Sequence, residues 1–146
     1  GWLGDDRTMS LGQSQMGVIP HGADGSWASS GNDIALVRDN LKNTFLNLAD
    51  GSSMACIMVI NVSKDSIANW GYGVFSFMIW KSGTAQASAV NTIYTTNNFS
   101  SFTLGLTIDT TTNTAEHRFK ITATGSGFPH NDVRIIGQLN YTQFNT

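Results

Sequence analysis

From residue 54 onward, apolar and polar positions fall into short runs, each closed by residues that favour turns. Residues 54–62 end at Ser63-Lys64-Asp65-Ser66, 72–80 at Lys81-Ser82-Gly83, 84–94 at Thr95-Thr96-Asn97-Asn98 and 99–108 at Asp109-Thr110-Thr111-Thr112-Asn113. Residues 116–124 lead into Gly125-Ser126-Gly127-Phe128-Pro129, and 133–144 close the pattern. Six strands punctuated in this way predict an all-β fold, an antiparallel β-sandwich of jelly-roll-like type. Upstream, 34–49 is ambiguous. Leu41, Phe45 and Leu48 share a helical spacing, but the Asn and Thr around them weaken helices, so a short helix and a strand stay equally open. Residues 1–20 read as an extended lead-in and 21–146 as the sandwich domain, with loop chemistry running from Pro20 to Gly31.

Most of the later runs alternate with period two. Leu104, Leu106 and Ile108 share a face with Phe102, opposite Thr103, Gly105 and Thr107. Phe119 and Ile121 alternate with Arg118, Lys120 and Thr122. Such strands are wet on one side. The runs 54–62 and 72–80 differ, because both of their faces are apolar: Phe75, Phe77 and Ile79 lie on one side, Val74, Met78 and Trp80 on the other. A strand apolar on both faces needs cover on both sides. Two covers suit the second face, another copy of the chain or the N-terminal fifty residues.

Composition narrows the setting. Charged residues make up only 12% of the 146, and Asn, Ser and Thr about 30%. Glu occurs once, at Glu116. That surface suits strands and turns rather than helices, and it interacts little with salt. Eight Lys and Arg, dispersed along the chain, do not make the basic face of a nucleic-acid binder. No apolar run approaches the ~20 residues of a membrane-spanning helix, so membrane insertion is not expected. Cys56 is the single cysteine, inside an apolar run, and reads as a buried, inert thiol. The first residue is Gly rather than Met, which fits a processed product or a fragment.

Candidate chemistry is sparse. The nine Asp sit in loops and turns, and no two acids form a local pair of the kind glycoside hydrolysis needs. His21, His117 and His130 share no metal-ligand spacing, and His117 falls on the apolar face with Phe119 as a partly buried structural group. No catalytic set, metal or cofactor is expected. The Asn-x-Ser/Thr triplets at Asn61, Asn98 and Asn140 are what chance supplies in so Asn- and Thr-rich a chain.

The aromatic residues carry the best signal. Trp27 stands in Gly25-Ser26-Trp27-Ala28-Ser29, and Trp70 and Tyr72 in Ala68-Asn69-Trp70-Gly71-Tyr72-Gly73. A folding core does not require Trp among Gly and Ser, whereas a sugar site uses rings to stack on the apolar face of a pyranose and amides or carboxylates to take its hydroxyls. Trp27, Trp70, Tyr72, Asp24 and Asn69 are therefore the candidate ligand-binding residues. The alternative is that these rings fold back onto the sandwich or into a subunit contact.

The Asn/Ser/Thr/Gly-rich surface, the lone buried Cys, the Thr-rich turn after Asp109 and the closing strand from Asp132 to Tyr141 together resemble the C-terminal head domains of bacteriophage tail fibres and tailspikes. The resemblance implies a homotrimeric, non-catalytic head on the virion that binds a host surface glycan or an outer-membrane receptor. Two rivals share parts of the pattern: a monomeric carbohydrate-binding module of an enzyme, and a capsid decoration protein without a ligand.

Overall fold

In a computed structural model of the chain, the described residues are 14–25, 32–38, 46–64, 66–99, 103–124 and 133–144. The side chains of 46–63, 69–99, 103–122 and 134–144 are placed among them. These residues form nine strands and no helix. They are β1 (Ser14–Gly25), β2 (Asn32–Arg38), β3 (Ser53–Lys64), β4 (Ser66–Ser82), β5 (Thr84–Ala87), β6 (Asn91–Asn97), β7 (Thr103–Asp109), β8 (Arg118–Thr124) and β9 (Val133–Phe144). Every pairing is antiparallel. Strand β1 runs through position 20, so residues on both sides of it belong to one strand. The ambiguous stretch contains β2, a strand. Leu41 and Phe45 lie outside the described residues, and Leu48 is buried.

The strands follow one hydrogen-bonded path, β5-β4-β3-β9-β1-β2-β8-β7, with β6 on the free side of β4. The path becomes a sandwich at β2. Its C-terminal residues pair with β1 (His21 with Arg38, Gly22 with Val37), while Asn32 to Leu36 pair with β8. A strand shared between two sheets turns the corner between layers. One layer is the broad sheet β4-β3-β9-β1 with β5 and β6 at its edge, and the other is the narrow β2-β8-β7 ribbon.

Between the layers lies one core. Met54, Met58, Ile60 and Val62 of β3, Phe75 and Ile79 of β4, and Ile135 and Leu139 of β9 face Leu104, Leu106, Phe119 and Ile121 of the ribbon. Phe77 and Phe119 meet with ring centroids 5.7 Å apart at 43°, within the tilted geometry that aromatic pairs favour. Phe75, Phe77, Leu104, Leu106, Phe119, Ile121 and Ile135 are all buried. Gly73 faces inward, and the Phe75 ring fills the place of its missing side chain: a Cβ there would come within 2.7 Å of that ring and 3.1 Å of Leu104.

The ends of the sandwich are tied by backbone pairs outside the main ladders. Leu46 and His117 exchange both of their hydrogen bonds, at 3.2 and 2.9 Å. His117 is fully buried rather than partly so. One of its ring nitrogens, Nε2, lies 2.9 Å from the Gln86 carbonyl, and Nδ1 has no hydrogen-bond partner. Burial lowers its proton affinity, with a further push from the Lys81 charge, while the Gln86 and Trp80 carbonyls act the other way. Asp109 closes the β7–β8 turn. Its carboxylate accepts from the backbone and hydroxyl of both Thr111 and Thr112, at 2.5 to 3.1 Å, and lies 3.5 Å from the Lys120 ammonium.

Candidate functional site

Strand β4 places the aromatic candidates. Its inward positions are taken by Gly71, Gly73, Phe75, Phe77 and Ile79, so period-two alternation sends Trp70, Tyr72, Val74, Ser76, Met78 and Trp80 to the opposite face. No described residue covers that face. Trp70 and Tyr72 keep 38% and 37% of their surface in solvent. Both stand at one end of β4, on a rigid ladder rather than in the Gly-rich loop that their neighbours suggested.

The neighbouring strands complete the patch. On β6, Tyr94 pairs with Val74 and Thr96 with Tyr72. The register then shifts, so that Thr92 meets Phe75 and Ile93 has no counterpart. Such a bulge re-aims side chains. Tyr94 comes to lie against Tyr72, with centroids 5.9 Å apart at 55°. On β3, Asn61 lies opposite Tyr72 and Ser63 opposite Trp70, and beyond them on β9 stand Ile136 and Arg134. The stretch after β6 is latched to the head of the patch. The Trp70 N–H donates to Asn98 Oδ1 (2.8 Å), the Asn98 N–H donates to the Trp70 carbonyl (3.0 Å), and the Phe99 N–H donates to Asn97 Oδ1 (2.9 Å).

Of the five expected residues, Trp70 and Tyr72 share this face, while Asn69, also exposed, alternates to the other side of β4. Asp24 occupies a register position in the same cross-strand row, which reads Trp70, Ser63, Arg134, Asp24. Three strand spacings, about 14 Å, separate its backbone from that of Trp70. Trp27 lies outside the described residues. Tyr94, Asn61, Arg134 and Ile136 were not singled out from the sequence. Tyr94 sits in an alternating run like any strand residue, and only the β6 bulge brings its ring beside Tyr72.

The patch can stack and hydrogen-bond: three partly exposed rings stand among amides, hydroxyls and one guanidinium. Elsewhere, burial drives the Cys56 thiol up to about 12, which keeps it protonated and inert at neutral pH. Among the described residues, no group of three His, Cys, Asp or Glu is gathered as for a metal ion.

No protein-family model matches the chain. No curated protein matches it. Among solved structures, the fold is similar to part of the tailspike protein of Acinetobacter baumannii phage AM24, with a TM-score of 0.55 at 13% sequence identity. The likeness covers 90% of this chain and 26% of that one, so the chain spans about a quarter of the tailspike's length. The chain therefore has a fold that occurs as a module within a phage tailspike.

Proposed function

We propose that this chain is a non-catalytic module of a phage tail fibre or tailspike, carried on the virion, that attaches to a glycan on the host surface. The observation that carries the reading is the ring cluster of Trp70, Tyr72 and Tyr94, held partly exposed on a sheet beside Asn61. A strand ladder holds these plates in place before a ligand arrives, which lowers the ordering cost of binding. The fold shared with a tailspike supports the setting, and the scarcity of acids and bases around the rings among the described residues supports attachment over hydrolysis.

One shallow site of two or three rings binds a sugar at about millimolar, near −4 kcal/mol. Several copies displayed together raise avidity by roughly 10²–10⁴ without a new contact. Charge is scarce, so binding depends little on salt. The test is adsorption of the purified chain to host cells and to a glycan array, with Trp70→Ala and Tyr94→Ala beside the parent. Loss of binding with an unchanged melting temperature is expected. Normal binding by both variants would place the receptor contact elsewhere and reject this site.

A further inference from the structure

Past the ring cluster the outer face of the broad sheet changes chemistry. The rows beyond Tyr72 read Tyr94, Val74, Val59 and Gln138; then Asn91, Ser76, Ile57 and Asn140; then Met78, Ala55 and Thr142. Around the last two rows the face sinks into a groove of about 830 Å³, a volume within the range of small-ligand sites. Ala55 stands short there between Ile57, its neighbour on the same face of β3, and Met78, opposite it on β4. Ala89, in the link between β5 and β6, adds a further apolar wall. No residue that lines the groove is charged. Two asparagines line it, and in each the amide nitrogen is held by the sheet: Asn140 Nδ2 donates to the Ile57 carbonyl at 3.5 Å, and Asn91 Nδ2 to Ser76 Oγ at 3.4 Å. The Ser88 hydroxyl is engaged twice, accepting from the Met78 N–H and donating to the Ala89 carbonyl. The Asn91 and Asn140 oxygens are thus the acceptors offered to a ligand.

We propose that this groove is a separate subsite for an uncharged acetamido sugar, its N-acetyl methyl on the apolar lining and its amide N–H given to an asparagine oxygen. The lining selects that class by what it denies to others. A uronic or sialic acid would bring a carboxylate to a groove with no cation to pair it. A plain hexose would set hydroxyls against Ala55, Ile57, Met78 and Ala89, where they find no partner. A purely apolar ligand, such as an acyl chain, would cover the two amide oxygens without satisfying them. An acetamido group carries a methyl, one N–H donor and no charge within a few bonds of each other, which is the combination the groove accommodates. The assignment rests on the glycan reading for its class of ligand and names which glycan units this face selects. The Ser76 and Met78 rows lie two and three rows beyond Tyr72, about 13 and 20 Å along β4 at ~6.6 Å per row, so the groove and the rings are separate contacts that one polysaccharide lying along the strand can reach.

The test is a titration of the full chain, labelled at its methionine methyls, followed by NMR. Met78 is 40% exposed in the groove, while Met54 and Met58 are buried in the core and serve as internal references for folding. The probes are N-acetylglucosamine, N-acetylgalactosamine and N-acetylmannosamine, with glucose and glucuronate as controls. At least one acetamido sugar should shift the Met78 signal saturably at about millimolar, with the controls roughly tenfold weaker or silent. The shift should persist in Trp70→Ala and vanish in Ala89→Trp, which fills the groove from an exposed link. No response of Met78 to any acetamido sugar overturns the proposal, as does an equal response to glucose or an unaltered response in Ala89→Trp. Should Ala89→Trp disturb the Met54 and Met58 signals, the parent alone decides through contacts between the acetamido methyl and the Ile57 and Ala55 methyls, whose absence overturns the proposal. The two readings fail separately. A silent Met78 in a chain whose adsorption to cells still depends on Trp70 overturns the groove alone, whereas a responding Met78 in a chain that adsorbs to no host cell supports the groove and overturns host attachment.

Discussion

The β7–β8 ribbon and the broad sheet use the same inner surface and opposite outer ones. Inward, both present fully buried apolar side chains: Phe119 and Ile121 on one, Met58, Ile60 and Phe75 on the other. Outward, the ribbon shows Thr103, Thr107, Arg118, Lys120 and Thr122, while the sheet shows Ile57, Met78, Trp70, Tyr72, Ile136 and Phe144. All the exposed large apolar residues that the structure describes lie on β3, β4, β6 and β9, and none on β7 or β8. The ribbon is finished against water. The outer face of the sheet instead leaves large apolar side chains and rings in solvent among the described residues. Scattered apolar residues on a surface need no explanation, but a contiguous set does.

The largest effect expected is in the shared core. Phe119→Ala removes a ring packed on Phe77 and should cost about 3–5 kcal/mol. Thr107→Ala, on the outside of the same ribbon, should change stability by less than ~0.5 kcal/mol. Urea unfolding of both variants checks the pair. A costly Thr107→Ala would mean that the ribbon's outer face is covered as well, and the contrast between the two layers would fail.

How much of this is legible in the sequence follows the same division. Period-two alternation locates the ribbon's inner face because a half-wet strand has to alternate. The double apolarity of β3 and β4 is equally plain in the residues, and by itself it points to the uncovered face. The strand ends are harder to read. Residues 84–94 look like one strand, yet they form two. The Ser88 N–H donates to the Met78 carbonyl and Ser88 Oγ accepts from the Met78 N–H, at 2.9 Å each, and the ladder breaks there. A hydroxyl standing in for a backbone partner leaves no periodic trace. Residues 116–117 likewise read as the start of β8, but His117 pairs with Leu46, seventy-one positions away, instead. One of the three rings of the cluster is hidden for a related reason. Trp70 and Tyr72 stand out among glycines, whereas Tyr94 becomes a neighbour only through a bulge.

A middle-sized effect tests how the ribbon is held. Asp109 accepts four hydrogen bonds within its own turn, and these bonds hold its carboxyl well below the usual carboxylate range, the Thr112 hydroxyl contributing most. Its contribution is present above the unfolded value near pH 4 and is lost as the pH falls below that. Asp109→Ala should destabilise by about 1–2 kcal/mol at neutral pH. The gap between variant and parent should narrow as the pH is taken from 5 towards 2. A gap that does not change with pH would assign the cost to backbone conformation rather than to the charged acceptor. The Lys120 contact contributes little to it: the hydrogen bonds to Thr111 and Thr112, not the ammonium 3.5 Å away, lower the carboxyl.

The smallest effect belongs to His117, at the joint between the ribbon and the sheet's edge. Its ring is sealed between Leu46 and Gln86, and burial holds its proton affinity below that of a free imidazole. The unfolded chain therefore binds the proton more readily than the folded one. Stability is complete above the unfolded value of about 6.5 and declines as the pH falls through it. The Gln86 and Trp80 carbonyls favour the charged form and oppose the burial, which keeps the effect small. Urea midpoints measured between pH 8 and pH 5 should drift downward in the parent. They should stay flatter in His117→Gln, whose side-chain amide can keep the hydrogen bond to the Gln86 carbonyl without titrating. Because the comparison is of slopes, it survives any uniform loss of stability that the substitution causes. It also separates this group from His21 and His130, which both proteins retain. Equal slopes would mean that the joint opens before the ring is protonated, and that ribbon and sheet separate at His117 more easily than their common core implies.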